Sequence, residues 1–230
     1  TQAESALSSA KAALAALESE AQALTRALGS GTAAKDRLLD KVKAVPGYEH
    51  ALAAALGDEL EVGLDHAAAR HWAGAEALPQ DPELPQGAQR LSDHVSAPAA
   101  LARRLAQIAV VETDEGSALA VGQRLVTKAG ALRRWDGFTA RGGEEAAGAA
   151  TAQRLIRVNR MEAIEAQLSD ARAAVSEAAA ASTLTAQAAA QSEGAIITAR
   201  SAIAQAERDI TTAIRTRDDA TVQIERLSAK

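Results

Sequence analysis

The stretch LSSAKAALAALESEAQALTRAL, residues 7–28, sets Leu7, Ala10, Leu14, Leu17, Ala21, Leu24 and Leu28 at successive spacings of 3, 4, 3, 4, 3 and 4. Alternating steps of three and four keep one apolar stripe turned toward a neighbouring helix, so three heptads of it predict a coiled coil. Gly29-Ser30-Gly31-Thr32 follows directly. Glycine closes a helix at no steric cost, and Gly29 reads as the C-terminal cap.

The same ladder returns at the other end of the chain. Met161, Ile164, Leu168, Ala171, Val175 and Ala178 open it, and Ser182, Thr185, Ala189 and Ser192 continue it with weak residues. Ile196, Ala199, Ile203, Ala206, Ile210 and Ala213 restore it, Arg217 interrupts it, and Ile224 and Leu227 close it. Small side chains over 178–192 bury little area, so that stretch, with Gly194, is predicted to be the softest part of this arm. At ~1.5 Å per residue the first arm spans about 42 Å and the second over ~100 Å. The surplus of the second is expected to meet another molecule, to fold back near Gly194, or to reflect only where the piece was cut.

Between the ladders the heptads vanish. Pro46, Pro79, Pro82, Pro85 and Pro98 all lie there, with most of the glycines. Residues 47–56 read as a helix ended by Gly57, 60–64 as a strand, and 66–72 as a helix before a Pro-rich loop over 79–87. Residues 97–108 read as an amphipathic helix opening at Pro98, where a first-turn proline is favoured. A strand over 109–112 and hairpin strands over 124–127 and 132–135, turning at 128–130, complete a mixed α/β module. Helical arms at 1–34 and 151–230 thus flank a globule at 35–150. Two flanking helices can pair within one chain only if they run antiparallel, which makes the globule the turn of a long helical hairpin.

Composition agrees. Aromatic residues are 2% of the chain, with one Phe, one Tyr and two Trp, too few for a large core. Trp72 and Trp135 are expected to anchor the small core, with a dimer contact as the other place for Trp135. Cysteine is absent, which excludes disulfides and thiolate metal sites. No apolar run approaches the ~18 residues of a membrane span. A net charge of −5 gives no global case for nucleic-acid binding. A helical pattern already running at Thr1 suggests a piece of a longer protein.

Catalytic patterns fail one by one. Gly29 to Lys35 has the wrong spacing for a phosphate-binding loop, and Asp36 stands where Ser or Thr is needed. His66 and His71 are five apart, not the four of a helical zinc pair, and His50 and His94 lack flanking ligands. No G-x-S-x-G occurs. Glu144-Glu145 and Asp218-Asp219 read as solvated charge. Neither an enzymatic activity nor a cofactor is expected of this chain.

Local motifs carry a family resemblance. Val45-Pro46-Gly47-Tyr48-Glu49, followed by Ala51, Ala54, Leu56 and Gly57, resembles the opening helix of the hinge of SMC (structural maintenance of chromosomes) proteins. Val110-Val111-Glu112 resembles the central hinge strand, and Gly122 to Gly130, with Val126-Thr127 inside it, is similar to the family's G-x-x-x-VT-x-x-G hairpin. Gly137-Phe138-Thr139 and Gly142-Gly143 resemble its G-x-x-TGG ending, here interrupted by Ala140-Arg141. Arg134 to Thr139 and the RxNR run from Arg157 to Arg160 resemble the alphaproteobacterial variant. The globule is shorter than most such hinges.

The resemblance implies a compact α/β (α+β) hinge module between antiparallel coiled-coil helices, and homodimerisation through the globule in a chromosome-organising ATPase. It places a dimer contact at Gly122, Val126, Thr127, Gly130, Gly137, Thr139, Gly142 and Gly143, where the glycines, lacking side chains, let two sheet edges approach. Lys128, Arg133, Arg134 and Arg141 are the candidates for a weak DNA contact. ATPase heads, and kleisin and accessory subunits bound to them, would lie outside this chain, in a cytoplasmic, nucleoid-associated protein without a membrane partner. The alternative is a generic coiled-coil scaffold whose globule docks an unrelated protein.

Overall fold

The computed structural model describes residues 1–29, 36–143 and 148–229. Ser30, Gly31 and Thr32 of the expected helix stop, Lys35, and the Glu144-Glu145 pair lie outside the described residues.

Both ladders are helices, α1 (Gln2–Gly29) and α4 (Ala149–Ser228). The chain divides into two compact units, residues 16–169 and residues 1–15 with 170–230. In the first, Arg160 pairs with Glu20 at 2.7 Å, and Arg154 donates to the Leu28 carbonyl at 2.9 Å. Rising numbers on α1 meet falling numbers on α4, so the helices run antiparallel. In the second, Leu7, Ala10 and Leu14 are half-buried, as are Ala171, Val175, Ala178 and Ser182. Beyond Ser182 every described residue of α4 except Ala204 is exposed. The helix runs unbroken through Gly194, so of the alternatives for the surplus arm a reversal there does not occur. One glycine costs a helix only ~1 kcal/mol relative to alanine, too little to break Ala-rich turns.

The first unit holds the globule. Its strands are β1 (Lys43–Ala44), β2 (Gln89–Arg90), β3 (Val95–Ser96), β4 (Ile108–Val111), β5 (Arg124–Thr127), β6 (Leu132–Arg134) and β7 (Thr139–Ala140). One sheet has the order β2-β4-β5-β6-β7, and β1 pairs with β3 in a separate ribbon. Only β4 and β5 are parallel, with Ile108 opposite Arg124 and Val111 opposite Thr127. Two short helices, α2 (Glu49–Leu56) and α3 (Ala102–Ala106), accompany the sheet. Leu38, Leu52, Leu60, Leu91, Leu101, Ile108 and Val126 are fully buried in one core, which Leu155 of α4 completes. At roughly 1.5–3 kcal/mol per buried large apolar side chain, this core dominates the stability of the unit.

Several sequence expectations fail in instructive ways. The helix expected over 97–108 is a 3-10 turn (Ala99–Leu101) leading into five-residue α3, and Ile108 belongs to β4. Of the strand expected over 60–64, residues 60–61 end a 3-10 helix, Gly57–Glu61, which buries Leu60, and residues 62–64 lie outside it. The helix expected over 66–72 is irregular, closed by a Gly63–His71 bridge and by Trp72 Nε1 donating to the Glu59 carbonyl at 3.0 Å. Trp72 packs against the core as expected, but Trp135 is 46% exposed and does not anchor it.

Buried Gln123 holds the Pro-rich loop. Its side-chain amide donates to the carbonyls of Glu83 at 2.9 Å and Pro82 at 3.4 Å, and its oxygen accepts the Ala120 N–H at 2.9 Å. A buried amide that lost these partners would carry its full desolvation cost. Gln123 therefore fixes loop 79–87 against the start of β5.

Candidate functional site

The tip of the β6–β7 hairpin is Trp135-Asp136-Gly137-Phe138. Asp-Gly is a strong hairpin signal because the turn needs a positive φ, and Gly137 has φ +87°. Arg134 N–H donates to the Phe138 carbonyl at 2.8 Å, and Gly137 N–H to the Arg134 carbonyl at 3.1 Å. The Arg134 guanidinium lies 5.4 Å from the Phe138 ring centre and pairs with Asp136 at 2.5 Å. The Trp135 N–H donates to the Gln123 carbonyl at 3.2 Å, which seats the tip beside the turn preceding β5. Phe138 (51% exposed), Trp135 (46%) and Val121 (74%) are large apolar residues left exposed.

The expected contact residues divide into two groups. Gly122, Gly137 and Gly143 have positive φ and open space where a Cβ would stand, and Thr139 is exposed on β7, an edge of the sheet. Val126 and Thr127 instead sit in the sheet interior with buried side chains. Gly130 is buried against His50. A Cβ at Gly142 would fall 2.5 Å from the Ala129 carbonyl oxygen and 2.7 Å from Ala131 N. These four shape the hairpin from within, and the first four are the ones a second molecule can reach.

The candidate DNA-contacting cations are mostly paired. Lys128 meets Glu112 at 2.6 Å. Arg133 grips Asp114 with two bonds of 2.6 and 2.8 Å and donates to the Ser117 carbonyl at 2.8 Å. Hydrogen bonds from Arg133 hold the Asp114 carboxyl below its usual range. Arg134 is paired with Asp136. Of the four, Arg141 has no ion pair to a described residue.

One feature escaped the sequence. A hollow of about 430 Å³ opens beside the turn preceding β5, lined by Trp72, Ala100, Arg103, Arg104, Val121 and Gly122 among others. Arg103 is neutralised by Asp81 through bonds of 2.5 and 2.9 Å. Arg104 makes two long bonds, 3.4 Å to the Gly122 carbonyl and 3.5 Å to Glu59. Glu59 is taken more closely by Arg124, at 2.6 Å. Burial, and then the charge of Arg124, push the pKa of Arg104 down. Arg103-Arg104 is visible in the sequence as a basic pair, but Glu59 lies 45 residues away from Arg104 and no spacing rule joins them.

No family model matches the chain. It is 40% identical over 161 residues to the chromosome partition protein Smc of Rhodopseudomonas palustris, covering 68% of this chain and 14% of that protein. It is 41% identical over 155 residues to the Smc of Cereibacter sphaeroides, covering 64% of this chain and 13% of that one. The chain thus spans about one seventh of the length of these relatives. Among solved structures, an asymmetric dimer of the Geobacillus stearothermophilus SMC hinge domain matches with TM-score 0.48 and 16% identity, covering 77% of this chain and 94% of that one. The Pyrococcus furiosus Smc hinge domain with an extended coiled coil matches with TM-score 0.34 and 19% identity, covering 79% and 84%.

Proposed function

The chain belongs to the SMC family as an alphaproteobacterial-type hinge with flanking coiled coil, and from that premise we propose that it joins two copies of a longer chromosome-partitioning protein. The globule reverses the chain between antiparallel helices, and its job is mechanical. It holds two long arms together and resists forces that would part them. ATP-driven work, and the kleisin and accessory subunits that accompany it, belong to other parts of that longer protein.

The observation that carries this reading is the edge at β7, which no other described strand covers, bordered by Gly137 and Gly143 and by exposed Trp135 and Phe138. The outer side of an edge strand offers backbone donors and acceptors to a second copy, and aromatic residues favour interface centres. Equilibrium sedimentation of the chain is expected to give a dimer at tens of micromolar. A strict monomer would sink the proposal.

A second reading has its own support. Ile196, Ile203, Ile210, Ile224 and Leu227 form an exposed apolar ladder on outer α4. Association through that ladder would make the chain a coiled-coil scaffold whose dimers require the outer arm. A DNA contact draws less support, because Lys128, Arg133 and Arg134 already hold carboxylates. Each would exchange an existing ion pair for a phosphate.

A further inference from the structure

The globule's exposed large apolar side chains are Val45, Leu78, Val121, Trp135 and Phe138. Val121 lines the hollow, Trp135 and Phe138 stand at the hairpin tip, and the backbone N–H of Trp135 is bonded to Gln123, which follows Val121 and Gly122. One face therefore carries both a protrusion and a recess. The protrusion is the hairpin tip, where exposed Asp136 lies between Trp135 and Phe138 in sequence. The recess has an apolar wall at Trp72 and a cation, Arg104, whose bonds are long. Around it the three guanidiniums of Arg103, Arg104 and Arg124 share the two carboxylates of Asp81 and Glu59, leaving one positive charge in excess.

Resting on the dimer proposed above, we infer that the hairpin tip of each copy seats in the hollow of the other, with Asp136 meeting Arg104 and the tip's rings covering Trp72 and Val121. A face bearing a knob beside its matching hole is self-complementary, so a two-fold axis makes the contact twice. Asp136 keeps its own Arg134, since a carboxylate has lone pairs for a second guanidinium. Desolvation at the centre of the contact strengthens the new pair, and the aromatic rings exclude water around it.

Charge exchange between copies tests this. Arg104→Glu alone sets Glu against Asp136 twice, and Asp136→Lys alone sets Lys against Arg104 twice. Each variant is expected to weaken the dimer about tenfold or more, as close interfacial charge pairs do. An equimolar mixture forms heterodimers with one original and one exchanged pair, and is expected to recover dimers. Native mass spectrometry of the two full chains, differing in mass, reads this directly, with circular dichroism to establish folding. Unchanged dimers in both variants, or no heterodimer from two folded variants, would overturn the contact while leaving the hinge dimer standing. A monomeric unaltered chain would instead overturn the dimer itself. Should Arg104→Glu fail to fold beside Glu59, Phe138→Asp on the exposed ring carries the same test. A dimer it left intact would also contradict the contact.

Discussion

Asn159 on α4 donates its side-chain amide to the buried carboxyl group of Glu49 at 2.7 Å. The same amide donates to the Ala44 carbonyl at 2.9 Å, and Glu49 also accepts the Gly47 N–H at 2.7 Å. The root of the second arm is thereby bonded to the start of α2 and the end of β1. These residues come from two separate sequence motifs, Tyr48-Glu49 and the Arg157 to Arg160 run, and the fold makes them one joint. Asn159→Leu leaves one oxygen of a buried carboxyl without its side-chain donor and is expected to cost about 1–3 kcal/mol, measured by urea unfolding. A loss under about 0.5 kcal/mol would show that the joint is not where the arm is held.

The paired glycines at the end of the hairpin are expected to behave differently. Gly142→Ala drives a Cβ into the Ala129–Ala131 backbone, so the hairpin must shift, at a cost of ~1–3 kcal/mol. Gly143 has open space but φ +106°, so Gly143→Ala costs ~1–2 kcal/mol through backbone strain alone. Thermal melts of the two variants should rank Gly142→Ala as the less stable. The reverse order would place the close packing elsewhere.

The helical ladders could be read from the sequence because a period of 3.5 survives whatever it packs against. The globule was harder. Leu60 and Leu64 look like alternating strand residues, yet Leu60 is buried at the end of a 3-10 turn, where tertiary packing overrides local preference. Strands β1, β2 and β3 are two residues long and leave no periodic trace. Loop 79–87 is held by Gln123, 40 residues beyond Glu83, and by Arg103, 22 residues beyond Asp81. Gly137 was readable as turn chemistry. That Val126 is core, and that Arg104 faces a hollow, depend on pairings between distant segments.

The Arg133–Asp114 pair links stability to pH. Arg133 holds the folded carboxyl below its ordinary value of about 3.9. A depressed carboxylate contributes stability that is present above the unfolded pKa and lost as pH falls through the folded one. Asp114→Asn should therefore destabilise the chain by up to about 1 kcal/mol at neutral pH. The gap between variant and original should close below about pH 4. A gap that stayed constant to pH 2 would mean that packing, not charge, is responsible.

The two ends of α4 should respond oppositely to mutation. Ile164 is fully buried, and Ile164→Ala is expected to cost about 2–5 kcal/mol in chemical unfolding of the globular unit. Ile203 and Ile210 are each 59% exposed, so changing both to Glu should move that transition by less than about 0.5 kcal/mol. A large effect from the outer pair would reveal packing on that face in solution.

Whether the globule or the outer arm joins two copies is decided by sedimentation equilibrium of the full chain beside a chain ending at residue 180. A globule-mediated hinge predicts dimers of similar affinity in both, because the deleted segment is the exposed part of α4. A full-length dimer that becomes monomeric on truncation would contradict the hinge and assign association to the Ile196 to Leu227 ladder.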